Sequence, residues 1–179
     1  MSKYRITEDH FVYFVTFSVV DWLPIFIDEE SCLIITNSLN YCNKNKKLRT
    51  NAYVIMPTHM HAIVFDKDHD IQRLQETIND LRRHMGKALI DYCSENLQPE
   101  FLRLIINKSG EDRRHRFWQS GIHPVSIYTH PFWEQKINYI HDNPRMKGLV
   151  REAQCWRFSS AKYWYYGGEC DVLLSDIFW

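Results

Sequence analysis

The chain has 179 residues, 45% of them hydrophobic, and its 22 basic side chains balance 22 acidic ones. That length and apolar content suit one globular domain over residues 1–179, while the neutral balance excludes a globally basic nucleic-acid binder and leaves phosphate binding to local patches. No stretch approaches the roughly 20 apolar residues of a spanning helix, and Met1-Ser2-Lys3-Tyr4-Arg5 opens no signal-like segment. The five cysteines, Cys32, Cys42, Cys93, Cys155 and Cys170, are scattered and never spaced as C-x-x-C. The expectation is a cytoplasmic protein with no membrane partner, carrying reduced thiols rather than a disulfide framework or a zinc knuckle.

Phe11 to Val20 is rich in Phe, Val, Tyr and Thr and predicts a first strand, broken by Asp21-Trp22-Leu23-Pro24. From Asp28, Cys32, Ile35, Leu39 and Cys42 recur at helical spacing until Asn43-Lys44-Asn45-Lys46-Lys47 ends the run. Asn51 to Met56 and His59 to Phe65 are two apolar stretches parted by Pro57-Thr58, either a hairpin or a kink in one strand, and the hairpin is favoured. Asp68, His69 or Asp70 then offers the N-cap of a long helix with an apolar stripe of Ile71, Leu74, Ile78, Leu81, Met85, Leu89 and Tyr92.

Ser94 to Arg116 has no clean period and reads as a charged connection. Gly121 to Ile127 is a short candidate strand, and Thr129 or His130 caps a last main helix carrying Trp133, Ile137 and Ile140, which Asn143-Pro144 is expected to stop. The order strand, helix, strand, strand, helix, strand predicts an α+β fold of the ferredoxin-like split βαβ type. It is an antiparallel sheet covered by helices on one face, with an additional helix and an aromatic C-terminal extension from about residue 151.

The chemistry begins with His59-Met60-His61. Successive strand side chains face opposite ways, so histidines at i and i+2 stand side by side, roughly 7 Å apart at Cα, and can share one ion. Alone, such a pair lines a polar pocket or surface more often than it binds metal.

Tyr53-Val54-Ile55-Met56-Pro57-Thr58-His59-Met60-His61 resembles the His-hydrophobe-His segment of single-tyrosine transposases. In the same order follow Arg116-Phe117-Trp118-Gln119, Phe132-Trp133, Asn138-Tyr139-Ile140-His141-Asp142-Asn143-Pro144 with Lys147-Gly148-Leu149-Val150, and Trp156 with Phe158-Ser159-Ser160. Together they resemble the REP-associated tyrosine transposases, a branch of the HUH transposases of insertion sequences, over most of the chain.

The resemblance implies that Tyr139 is the nucleophile and that His59 and His61 bind a divalent ion, Mg²⁺ or Mn²⁺, with zinc as a further option. It also supports Asn143 as the third ligand, against its competing reading as a helix stop before Pro144. The activity implied is cleavage and rejoining of single-stranded or hairpin DNA through a 5′-phosphotyrosine, as a nucleoid-associated enzyme of prokaryotic type. Because one phosphoester is exchanged for another, no nucleotide cofactor is needed, in keeping with the absence of a G-x-x-x-x-G-K-[ST] loop.

Basic clusters at Lys44, Lys46, Lys47 and Arg49, at Arg113, Arg114 and Arg116, and at Arg145, Lys147 and Arg151 are candidates for tracking a DNA backbone or are solvated surface. Trp118, Trp133, Trp156 and Tyr163 are candidate base-stacking surfaces or core. Two competing functions remain. One is a replication initiator or relaxase of the same logic, disfavoured because Gln135 and Asn143, rather than a second tyrosine, flank Tyr139 at four residues. The other is a non-catalytic nucleic-acid-binding module on the same fold. Whether Tyr139 would act in its own subunit or across a homodimer is open.

Overall fold

A computed structural model describes residues 6, 10–97, 103–104, 117–122 and 124–177. Its main elements are β1 (Val12–Ser18), α1 (Glu29–Asn45), β2 (Leu48–Met56), β3 (His59–Asp66), α2 (Ile71–Asn96), β4 (Val125–Ile127), α3 (His130–Met146) and α4 (Ala161–Tyr166). The four strands lie in the order β2-β3-β1-β4 and every neighbouring pair is antiparallel. This is the predicted α+β, ferredoxin-like arrangement, with Pro57-Thr58 forming the hairpin turn between β2 and β3.

Alternation along the strands builds two cores. Tyr13, Val15 and Phe17 of β1, with Met60, Ala62 and Val64 of β3, point to the face packed by α1 and α2, where Ile35, Leu39, Leu74, Ile78 and Leu89 meet them. Val12 and Phe14, with Val54 of β2 and Ile63 and Phe65 of β3, point the other way, against Ile137 and Ile140 of α3. Helices therefore cover both faces, where the sequence predicts one, because the additional helix has its own apolar stripe to bury.

The ends of the helices follow local chemistry. The Asp28 carboxylate accepts the Ser31 N–H at 2.8 Å and starts α1, and Glu29 and Glu30 in the first turn suit the positive end of the helix dipole. Asp70 caps α2 by accepting the Arg73 N–H at 2.9 Å, and the Arg73 guanidinium grips buried Asp66 in a fork with Nε to Oδ2 at 2.7 Å, joining α2 to the end of β3. Thr129 caps α3, with Pro131 in its first turn, where the missing N–H costs nothing.

Two expectations are corrected. The fourth strand shrinks to Val125–Ile127, its pairing with β1 confined to Val12, Tyr13 and Phe14. Asn143-Pro144 does not stop α3, which continues to Met146. A proline in the last turn removes one donor, and the end is otherwise satisfied: Lys147 N–H donates to Asn143 O at 3.1 Å and, after Gly148 turns the chain at φ 70°, Leu149 N–H donates to Pro144 O at 2.9 Å.

The C-terminal extension runs along the outer edge of β2. Ile55 N–H donates to Phe158 O at 2.8 Å, Ser160 N–H to Tyr53 O at 3.0 Å and Ser175 N–H to Thr50 O at 2.9 Å, so the edge is covered rather than left open. At its centre the buried Ser160 hydroxyl accepts the Tyr53 N–H at 2.9 Å and meets His141 Nε2 of α3 at 2.9 Å. Ser160→Ala strands both groups, and a loss of about 1–3 kcal/mol in urea unfolding is expected.

Candidate active site

His59 opens β3 and His61 follows it on the same face, so both imidazoles point at the side covered by α3. Their ring centroids are 4.7 Å apart. Tyr139 of α3 lies next to them, its ring 5.3 Å from that of His61, and Phe14 of β1 closes the cluster at 5.0 Å from His61 and 6.0 Å from Tyr139. The hairpin pair and the helix tyrosine, distant in sequence, are thus neighbours in space.

Each histidine is oriented by a hydroxyl. Thr16 lies directly across from His61 in the β1–β3 register, and its Oγ1 is 2.7 Å from His61 Nδ1. Thr58 Oγ1 is 2.9 Å from His59 Nδ1. With Nδ1 engaged, His61 Nε2 is buried and has no hydrogen-bond partner. An imidazole fixed through one nitrogen and bare at the other is the arrangement that metal-binding histidines adopt. Thr16 was invisible as a site residue in the sequence, because only the strand register brings it to His61.

The electrostatics agree. Burial holds His59 down to about 4, with the Lys147 charge adding to the effect. Burial also holds His61 down to about 3, reinforced by His59 and by Lys136. Both rings are neutral at ordinary pH, the form that ligates. Lys136, one turn before Tyr139, rests its ammonium 4.8 Å from the centre of the Phe14 ring and 5.2 Å from that of Phe132. Lys136 and Lys147 therefore bring positive charge to the two histidines, a field suited to an anion.

The remaining expected residues fall into place unevenly. Asn143 is helical, one turn beyond Tyr139 on α3, and only 6% exposed, so its helix-stop reading falls away. Lys147, just past the end of α3, acts on His59. Lys46, Lys47 and Arg49 stand at the opposite end of the sheet, since Arg49 pairs with Phe65 while Met56 pairs with His59, a separation of roughly 20 Å at about 3.3 Å per residue. There Lys47 is paired with Asp68 at 2.6 Å, and Arg49 donates to Asn43 O at 2.9 Å and Leu48 O at 2.7 Å. Arg113, Arg114 and Arg116 lie outside the described residues.

Among the described residues no group of three or more His, Cys, Asp or Glu is placed to hold a metal. Three of the proposed stacking aromatics are structural. Trp118 is buried and donates its indole N–H to Arg82 O at 2.9 Å, Trp133 to Asn51 Oδ1 at 2.8 Å and Trp156 to Ile55 O at 2.8 Å.

Against solved structures, the chain superposes on a REP-associated tyrosine transposase bound to a REP hairpin, with a TM-score of 0.64 and 18% identity over 98% of this chain and 93% of that one. No protein-family model and no curated protein matches the sequence. The likeness is one of fold, and it extends over nearly the whole chain. No helix among the described residues is long and apolar enough to cross a membrane.

The histidines shielded by the fold also set an acid limit. His59, His61 and His141 are held at about 4, about 3 and about 4, all by burial first, whereas imidazoles in the unfolded chain titrate near 6.5. Below about 6.5 the unfolded state takes up protons that the folded state refuses, so stability falls as pH drops towards about 4. Urea midpoints measured across that range are expected to decline, and more shallowly in His61→Asn than in the native protein.

Proposed function

We propose that the chain is a metal-dependent single-tyrosine DNA transposase or endonuclease, cleaving and rejoining single-stranded or hairpin DNA. The observation that carries the reading is the unbroken line of rings from His59 through His61 to Tyr139, with His61 Nε2 bare. The fold likeness to a transposase bound to hairpin DNA supports it.

In this reading Tyr139 attacks the scissile phosphorus through its phenol oxygen, the bond to the 3′-oxygen breaks, and the strand remains joined to the enzyme as a 5′-phosphotyrosine. The phenol proton leaves, the departing 3′-oxygen is protonated, and attack by a 3′-hydroxyl reverses the exchange. Tyr139 is suited to the part because it is 50% exposed, able to meet a polymer, while His61 is 5% exposed.

His59 and His61, with the Asn143 amide oxygen as third ligand, would hold Mg²⁺ or Mn²⁺. Such an ion supplies polarisation of the phosphate and neutralises charge on its oxygens. Thr16 and Thr58 keep the two rings turned towards that position. Lys136 and Lys147 add fixed positive charge for the phosphate, and a groove of about 420 Å³ lined by Phe14, Thr16, Ser18, Gln119 and Val125 begins beside His61 and gives a strand room to approach.

The test is a denaturing gel of protein incubated with Mn²⁺ or Mg²⁺ and labelled hairpin DNA bearing single-stranded flanks. A covalent adduct is expected from the native protein, none from Tyr139→Phe, and none from His61→Ala, with DNA binding by Tyr139→Phe within about twofold of native as expected for a nucleophile that contributes little to affinity. An adduct that survives in Tyr139→Phe moves the nucleophile to another tyrosine, Tyr128 first. Binding without any adduct across many sequences leaves a nucleic-acid-binding module instead.

Lys147 gives a separate check. If it contacts a DNA phosphate, Lys147→Ala weakens binding for all sequences alike and lowers the slope of log affinity against log salt by about 0.7, the value for one contact to a single strand.

A further inference from the structure

The loop between β1 and α1 presents a tryptophan beside the candidate site. Trp22 is 55% exposed, yet its ring meets that of His59 at 5.8 Å and nearly at right angles. Of the exposed aromatic side chains described, Trp22 and Tyr139 are the two whose rings touch the histidine pair, one on His59 and the other on His61.

The backbone goes out of its way to put it there. Asp21 and Trp22 have φ of 53° and 57°, consecutive left-handed conformations that residues with a Cβ seldom adopt and that persist only when the surroundings impose them. The surroundings do so: Val19 N–H donates to Thr58 O at 2.9 Å, Phe26 N–H to Pro57 O at 3.0 Å and Val20 N–H to Phe117 O at 2.9 Å. The loop is thus clamped on both sides to the turn that carries His59. No packing requirement of the core accounts for Trp22, whose surface is mostly open.

We infer that Trp22 is a stacking platform for one unpaired base of a bound DNA strand, holding the nucleotide whose phosphate lies over the histidines. An indole face accepts any base, so the platform positions the strand without reading its sequence. The neighbouring charge suits the nucleotide's other half, because Lys147 acts on the same histidine that Trp22 touches. Trp22 is in these terms a positioning residue. The inference rests on the reading of His59 and His61 as the place where a DNA phosphate sits.

Binding can be measured apart from chemistry by placing every variant in a Tyr139→Phe background. The probes are a DNA hairpin with a single-stranded thymidine tail and the same hairpin with an abasic tail. Trp22→Ala is expected to lose about tenfold in affinity for the thymidine tail and almost nothing for the abasic one, while Trp22→Phe keeps most of the native affinity, as a stacking contact requires. Equal losses on both tails, or no loss on either, overturn the inference, as does failure of the Tyr139→Phe protein to distinguish the tails at all. Thermal unfolding of Trp22→Ala guards against a folding defect, which would weaken both probes alike. If the native protein forms no covalent adduct yet the tail-specific loss appears, the strand-transfer reading fails and the stacking platform stands.

Discussion

The candidate site depends on the seating of α3 against the sheet face shared by β1, β2 and β3. Ile137 and Ile140 bury themselves among Val12, Phe14, Val54 and Ile63, and the same strands send His59 and His61 to that face. Because Tyr139 precedes Ile140 by one residue, it falls about 100° around the helix from that buried position and emerges at the flank, beside His61 rather than beneath it. The relative placement of Tyr139 and the histidines follows from this contact. Ser160 reinforces it from behind by coupling His141 of α3 to the Tyr53 backbone of β2.

Burial then sorts the chemistry. Taking the imidazoles out of water makes their protonation expensive, so they stay neutral and keep a lone pair each. The same exclusion of water strengthens whatever charges remain nearby, and those are the ammonium groups of Lys136 and Lys147. Neutral imidazoles with cations at their margin make a field that favours an anion, and the bare His61 Nε2 faces into it.

The legible parts of this structure were those fixed by short-range periodicity. The β3 alternation put both histidines on one face from sequence alone, and the stripes of α1, α2 and α3 were readable at helical spacing. What could not be read depends on contacts between distant segments. Thr16 joins the site only through strand register, and Trp118, Trp133 and Trp156 gave their indole N–H groups to Arg82, Asn51 and Ile55, partners far along the chain. Asn143-Pro144 misled because the rule against proline in helices weighs one lost donor against an interior, and here the loss falls in a last turn that the following residues satisfy.

Trp22 shows the same limit from the other side. Asp21-Trp22-Leu23-Pro24 has the composition of a strand breaker, and nothing local distinguishes it from an ordinary turn, since left-handed φ angles at two non-glycine residues go against intrinsic preference. The conformation exists because the Pro57-Thr58 turn and Phe117 hold both ends of the loop. A conformation imposed against preference, which leaves a large aromatic in water beside the half-buried His59, contributes little to folding. In the inferred stacking role, the ring is held for a contact outside the protein: the flat face of an unpaired base would meet Trp22 while its phosphate lies near the charge that Lys147 places at His59.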